Sequence, residues 1–207
     1  MRKFPIVLLV LGSCVPFLVA QKKPASAPFS IPVRASGEKS APLVLDIFTD
    51  FECGHCREYY LRTLTRVMED YCAKGKVYLV HHEFPLPGHV LAPEAAKWAV
   101  AASTIGKYET VTDALFEKQG EWAANRNIEG AVASVLTPAE LAKVKKAMET
   151  HGGEIDSAIQ ADRFLGSSIG IDQTPTTKMT YKGQSTILKG NISFAIFKKI
   201  LDEQLSK

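Results

Sequence analysis

The chain changes along its length from nearly continuous apolar runs to segments with helical spacing. Residues 42–49 form an almost unbroken apolar run, which is typical of a strand covered on both faces. From Cys53 the spacing becomes helical and continues to a break at residues 74–76. Residues 76–84 favour a second strand. This order predicts a parallel, right-handed strand–helix–strand unit.

The second half of the chain has a different pattern. Residues 89–168 are rich in alanine with apolar spacing near 3.6, and the breaks at glycine, asparagine and proline predict several helices. Residues 177–181 and 185–188 are short strand candidates on either side of Lys182-Gly183, which predicts a hairpin. A last helix is expected from about residue 191. The pattern as a whole predicts an α/β fold.

The first twenty residues have the pattern of an export signal. Arg2 and Lys3 precede an uncharged apolar run at residues 4–20, and cleavage after Ala20 would leave a mature chain that begins near Gln21. Residues 1–20 are therefore predicted to be a signal peptide, and the protein to be periplasmic or extracytoplasmic in a bacterium. Lipid anchoring at Cys14 and an uncleaved membrane anchor are the alternatives.

The segment after the signal is rich in Lys, Pro, Ser and Ala. Residues 21–40 are predicted to form a mobile leader, with a short edge strand at residues 31–34. The remaining length suits one domain with a substantial core. The net charge of the 207-residue chain is +3, and it falls to +1 without the signal. This near-neutral balance gives no support for a nucleic-acid partner.

Cys53 and Cys56 are three positions apart, in a chain with four cysteines. A scaffold of structural disulfides would show more cysteines, more evenly spread, so a functional pair fits better. A first cysteine at a helix N-terminus ionises easily, with a pKa of roughly 3.5 to 7.5 in place of about 8.5. Cys56 would lie one turn deeper and close the ring. His55 can donate to the Cys53 sulfur, which favours the reduced form.

A zinc site is the structural alternative for a Cys-x-x-Cys motif. It needs four ligands, and the chain offers only Cys72, His81, His82 and His89 beyond the pair. Adjacent strand residues such as His81 and His82 point to opposite faces and chelate poorly. No metal and no cofactor is predicted. Cys72 is expected to be a buried small hydrophobe, with a regulatory thiol or an intermolecular bridge as the alternative.

Residues 48–56 (Phe-Thr-Asp-Phe-Glu-Cys-Gly-His-Cys) resemble the active-site segment of DsbA-like proteins of the thioredoxin superfamily. The resemblance continues through residues 84–86, the alanine-rich helix after His89 and residues 170–176, and it covers residues 41–207. It implies a thioredoxin-like fold, a central mixed sheet flanked by helices, with a helical insertion at about residues 88–165. It also implies a cis peptide bond at Pro175 and a substrate-binding role for Thr174 and Pro175, in which Thr174 offers its backbone to an extended peptide.

Two positions depart from the family pattern. Relatives often have a buried carboxylate six residues before the first cysteine, where this chain has Ile47. Asp46 is one residue earlier, and a one-residue shift on a strand reverses the face, which leaves Glu52 or water to assist proton transfer. The second departure is the Gly-His dipeptide, which matches protein disulfide isomerase and not the Pro-His typical of DsbA. The potentials of these two relatives span about −180 to −120 mV.

The resemblance and the motif favour a dithiol oxidase with Cys53, Cys56 and His55 as catalytic residues. Its substrates would be cysteine-containing exported proteins, and a membrane oxidase of the DsbB or vitamin-K-epoxide-reductase type would restore its disulfide. A reductase or isomerase that uses the same pair is the second hypothesis. A redox-inactive module that binds or delivers a metal is the third.

Overall fold

The computed structural model describes residues 29–207, and the predicted signal peptide, Cys14 and the first part of the leader lie outside them. Within these residues a five-stranded sheet has the order β1-β3-β2-β4-β5. The strands are β1 (Ala35–Ser36), β2 (Leu43–Thr49), β3 (Val77–Glu83), β4 (Thr176–Tyr181) and β5 (Gln184–Lys189). The predicted strands at residues 42–49, 76–84, 177–181 and 185–188 are thus confirmed. The edge strand lies at Ala35–Ser36 and not at residues 31–34.

The first helix, α1, spans residues 54–72. It is α-helical at Gly54–Tyr59 and Thr65–Val67 and π-helical at Tyr60–Leu64 and Met68–Cys72, a variation that the apolar spacing did not predict. Six helices follow between β3 and β4: α2 (Ala92–Ser103), α3 (Tyr108–Glu117), α4 (Gln119–Asn125), α5 (Ile128–Ala133), α6 (Pro138–Thr150) and α7 (Gly152–Ser168). The last helix is α8 (Phe194–Leu205). Within residues 29–207 no helix is both long and apolar enough to cross a membrane.

The strands combine parallel and antiparallel pairing. β2 and β3 are parallel, with Asp46 opposite Val80, so the predicted strand–helix–strand unit is present. β4 runs antiparallel to β2, and β5 antiparallel to β4. Lys182 and Gly183 both have positive φ, at 47° and 80°, which is the conformation of a tight two-residue hairpin turn. The mixed sheet, its flanking helices and the helices inserted between β3 and β4 match the predicted architecture.

The two faces of β2 pack against different layers. Leu43, Leu45 and Ile47 are fully buried in the main core, together with apolar residues of α1 and α8. The alternate residues point to the opposite face, where Phe48 packs with Phe84 in a second apolar cluster. Helix α7 covers this cluster closely. β2 therefore ends as a rigid, buried strand immediately before the two cysteines.

Candidate active site at the start of the first helix

The two cysteines occupy the first turn of α1. Cys53 is the N-cap residue, with φ −75° and ψ 115°, and its carbonyl accepts a hydrogen bond from Arg57 N at 3.1 Å. Cys53 is 8% exposed, whereas Cys56 is fully buried one turn deeper. Both are free cysteines. A Cβ added at Gly54 would meet nothing within 4 Å, so the approach to Cys53 is open on this side.

The surroundings of the two sulfurs move their pKa values in opposite directions. The Cys56 thiol donates a hydrogen bond to Cys53, and with the backbone N–H groups of Cys56 and His55 it lowers the pKa of Cys53 to about 5 against the opposing effect of burial. Burial, followed by the hydrogen bond and charge of Cys53, raises the pKa of Cys56 well above its ordinary value. At neutral pH the pair is therefore one thiolate and one thiol.

His55 acts on Cys53 through its backbone. Its N–H favours the Cys53 thiolate, as expected at a helix N-terminus. The side chain is exposed, and among residues 29–207 it makes no hydrogen bond to either sulfur. The predicted donation from the His55 ring to Cys53 is thus not the arrangement found here.

Thr174 and Pro175 lie beside Cys53. The peptide bond between them is cis, as the resemblance implied. Cys53 Sγ lies 3.5 Å from the Thr174 carbonyl oxygen, to which the protonated form of Cys53 donates. Residues 121 positions apart thus meet at the sulfur, because β4 starts directly after Pro175 and pairs with β2.

Asp50 connects the cysteine turn to the loop after β3, a connection that the sequence did not reveal. Its backbone N–H lies 3.5 Å from Cys56 Sγ, and its carbonyl accepts from Cys53 N at 3.1 Å. Its buried carboxylate accepts from Leu86 N at 2.7 Å and contacts His89 Nδ1 at 2.8 Å. Burial raises the pKa of Asp50, against the hydrogen bonds from Leu86 and His89.

Neither alternative carboxylate approaches the sulfurs. Asp46 points away from the face of Ile47 and binds His82 and Lys178, which confirms the reversal of face expected from the one-residue shift. Glu52 Oε2 accepts hydrogen bonds from the backbone N–H groups of Leu91 and Ala92 at 2.7 and 2.8 Å. Glu52 therefore holds the start of α2 and does not replace the carboxylate absent at Ile47.

Residues of the helical insertion form hydrogen bonds with the cysteine turn. Gln119 Nε2 donates to the carbonyl oxygens of Phe51 and Cys53, at 2.6 and 3.2 Å. Arg57 Nε donates to the Phe116 carbonyl at 2.9 Å. These bonds fix the backbone around Cys53 before any substrate arrives, as a preorganised site requires.

The remaining candidate residues lie apart from this site. Cys72 is buried near the end of α1, and burial raises its pKa to about 12. His81 and His82 point to opposite faces of β3, as the alternation of strand residues predicted: His81 lies near Tyr60 and Tyr108, and His82 stacks on Phe48. No group of three or more His, Cys, Asp or Glu side chains in the described part of the chain could hold a metal ion.

The sheet topology and the paired cysteines at the start of α1 together define the class of thioredoxin-fold dithiol proteins. The thioredoxin family model matches residues 31–203. The chain accordingly belongs to the thioredoxin family.

Similar proteins and solved structures narrow this class. The chain is 26% identical to a probable disulfide bond formation protein D of Bacillus anthracis, over 97% of this chain and 92% of that protein. The structure of BdbD from Bacillus subtilis superposes with a TM-score of 0.66 at 19% identity, covering 84% of this chain and 94% of that one. α-DsbA1 of Wolbachia pipientis gives 0.67 at 18% identity, covering 84% and 91%. The protein is a DsbA-like thiol:disulfide oxidoreductase.

Proposed function

We propose that this protein is a dithiol oxidase that introduces disulfides into exported proteins through Cys53 and Cys56. The observation that carries the proposal is the opposite shift of the two pKa values, with Cys53 at about 5 and Cys56 raised by burial. A Cys53 thiolate stable at neutral pH stabilises the reduced pair relative to the disulfide. Such a pair gives its disulfide away readily. The names of the Bacillus relatives agree with this direction.

The reaction consists of two thiol–disulfide exchanges. A substrate thiolate attacks Cys53 Sγ of the disulfide, a mixed disulfide forms, and Cys56 leaves and takes up a proton. A second substrate thiolate then attacks the substrate sulfur, and Cys53 leaves as a thiolate. The substrate gains one disulfide, and the protein keeps both electrons as one thiolate and one thiol. The low pKa of Cys53 makes it the better leaving group in this second step.

We assign substrate binding to Thr174 and Pro175, beside the sulfur that forms the mixed disulfide. An extended peptide that pairs with the backbone before β4 would bring its cysteine to Cys53. The site residues of the proposal are thus Cys53, Cys56, Thr174 and Pro175, with His55 contributing its backbone N–H. A membrane oxidase of the DsbB or vitamin-K-epoxide-reductase type would restore the disulfide.

Export through removal of residues 1–20 is part of the same proposal, because cysteine-containing substrates are oxidised outside the cytoplasm. Mass spectrometry of the protein secreted by a bacterial host tests it. A mature chain that begins at Gln21 supports the signal peptide, whereas a lipid on Cys14 would show the alternative maturation.

The decisive experiment is the redox equilibrium of the protein with glutathione, with Cys53→Ser as the control that cannot form the disulfide. A potential of about −200 mV or higher supports the oxidase. A potential near about −270 mV would show that the pair works as a reductase. Absence of any reversible couple would exclude both and leave a binding module.

A further inference from the structure

The fold brings the side chain of His89 to the cysteine turn, where it contacts the carboxylate of Asp50. It follows the Pro85-Leu86-Pro87-Gly88 loop, and its Nδ1 lies 2.8 Å from Asp50 Oδ2. The Asp50 side chain is fully buried, whereas the His89 side chain is 35% exposed. The contact between Asp50 and His89 therefore extends from the interior of the site to its surface.

The backbone of Asp50 contacts both active-site cysteines. Its backbone N–H lies 3.5 Å from Cys56 Sγ, and its carbonyl oxygen holds the backbone N–H of Cys53 at 3.1 Å. The same residue therefore touches Cys56, the backbone of Cys53 and the His89 ring. An ionised Asp50 alone would add a negative charge to the turn in which Cys53 also becomes negative. A protonated His89 cancels that charge.

The charged groups around His89 come from three elements. Asp50, Glu52 and Cys53 belong to the cysteine turn, and all three favour the protonated ring. Lys97 of α2 and Asp156 of α7 face the same groove but bind each other at 2.9 Å. Arg163 of α7 also lines this groove. Burial opposes the charge on His89, yet its partners outweigh burial and raise its pKa.

We infer that His89, held by Asp50, is the positive group that stabilises the Cys53 thiolate, and that its ionisation makes the redox equilibrium depend on pH. The inference rests on the proposed function, since it assigns a positioning residue to the same site. Asp50 orients the ring, and His89 acts on Cys53 through its charge. His55 acts on Cys53 through its backbone N–H.

Protonation of His89 and reduction of the Cys53–Cys56 disulfide favour each other. Two glutathione thiols reduce the Cys53–Cys56 disulfide and yield glutathione disulfide, one Cys53 thiolate, one Cys56 thiol and one released proton. A positive His89 stabilises the thiolate product and has no comparable charge to stabilise in the disulfide. As pH rises through the pKa of His89, the reduced form loses this stabilisation. Deprotonation of His89 therefore makes the pair a weaker oxidant than it would otherwise be, and this opposes the gain in oxidising strength toward glutathione that proton release alone gives at higher pH.

Two substitutions at one position separate charge from packing. His89→Gln keeps a donor toward Asp50 but carries no charge, and we expect the Cys53 thiolate to become roughly threefold less favoured, read as a rise of about half a pKa unit in the ultraviolet thiolate titration. The glutathione equilibrium at neutral pH should move toward the disulfide by the same factor. His89→Lys keeps a positive charge and should retain the low Cys53 pKa while losing the inflection contributed by His89.

The matched control is His151→Gln on the helical insertion, where His151 Nδ1 contacts Glu154 Oε1 at 3.3 Å and the ring is 32% exposed. It should leave both readouts unchanged. A His89→Gln protein with the wild-type Cys53 pKa would overturn the inference, as would equal shifts in His89→Gln and His89→Lys, which would indicate packing. A wild-type equilibrium in the reductase range would instead overturn the proposed direction of reaction and leave the comparison between His89 variants intact.

Discussion

His82 Nε2 lies 3.0 Å from Asp46 Oδ1, on the face of the sheet opposite Ile47. The second ring nitrogen of His82 contacts Asp162 Oδ1 at 2.8 Å, and Arg34 binds the other oxygen of Asp162. The acidic residue nearest to the family's usual carboxylate position is thus part of a network that fastens α7 to the sheet. Asp46 stabilises the fold and is not available to Cys56.

Replacement of Asp46 by Asn should therefore lower stability without altering the redox chemistry. Burial raises the pKa of Asp46, but His82 and Lys178 outweigh it and keep the residue ionised. Loss of that charge weakens the contacts with His82 and Lys178, and we expect a decrease of about 1 to 3 kcal/mol in the free energy of unfolding. Urea denaturation measures this loss. Asp172→Asn, which removes the exposed bridge to Lys189, is the control and should change little. A changed glutathione equilibrium in Asp46→Asn would contradict the assignment.

The sequence was sufficient to predict strands β2 to β5, the helical character of the remaining segments and the position of the cysteine pair, but it misplaced the edge strand β1. The apolar run of β2 ends just before Cys53, and helical spacing starts there, so the pair had to lie at a strand-to-helix junction. The face of Asp46 followed from the alternation of strand residues. The cis bond at Pro175 came from the resemblance, because local sequence alone does not distinguish it from a trans bond.

The contacts that tune the pair could not be predicted in the same way. Asp50 and His89 are 39 residues apart and lie in irregular segments without periodicity. An acidic residue directly after a buried strand and a histidine after Pro-Gly were the only signals, and neither specifies its partner. The spacing of apolar residues also does not reveal the π-helical turns of α1, since these turns change the pitch of the helix but keep its apolar face.

The close packing of α7 on the sheet predicts a specific sensitivity at Gly166. A Cβ at this position would lie 2.6 Å from an atom of the Phe84 ring and 3.1 Å from one of Phe48. Gly166→Ala should therefore push both rings away from α7 and lower the free energy of unfolding by about 1 to 3 kcal/mol, as measured by thermal or urea denaturation. Gly153→Ala in the same helix meets nothing within 4 Å and should be neutral or slightly stabilising. Equal effects of the two substitutions would contradict this packing.

Glu83 should make stability fall as pH rises. The residue is fully buried, and burial raises its pKa from 4.5 to about 7, although Tyr108 donates a hydrogen bond to Oε1 at 2.6 Å. Between these two pKa values the folded protein keeps a proton that the unfolded chain has released. The resulting decrease in the free energy of unfolding reaches about 3 kcal/mol. This loss of stability is absent below the pKa of Glu83 in the unfolded chain and complete above its pKa in the folded protein.

Glu83→Gln provides the test, because the amide oxygen can still accept from Tyr108 and the side chain no longer titrates. Urea midpoints recorded across this pH range should show a smaller decline in the variant than in the wild-type protein. His82 and His89 titrate in both proteins, so the difference between the two profiles isolates Glu83. Parallel profiles would show that Glu83 is ionised normally in the folded state.

The unequal pKa values of the two active-site cysteines predict a distinct alkylation profile. In the reduced protein, the rate of Cys53 modification by iodoacetamide should be half-maximal near pH 5 and constant at neutral pH, because the thiolate is the nucleophile. Cys56 and Cys72 are buried with raised pKa values and should remain unmodified under the same conditions. Mass spectrometry of peptides assigns each modified site.

Cys56→Ala tests the cause of this profile, since the Cys56 thiol is the strongest single contribution to the low pKa of Cys53. Its removal should raise the midpoint of the alkylation profile by at least about one pKa unit. The backbone N–H groups at the start of α1 remain and should keep the midpoint below the ordinary value of about 8.5. An unchanged midpoint would assign the low pKa to the helix terminus and its charged neighbours, and a return to the ordinary value would assign it entirely to the partner thiol.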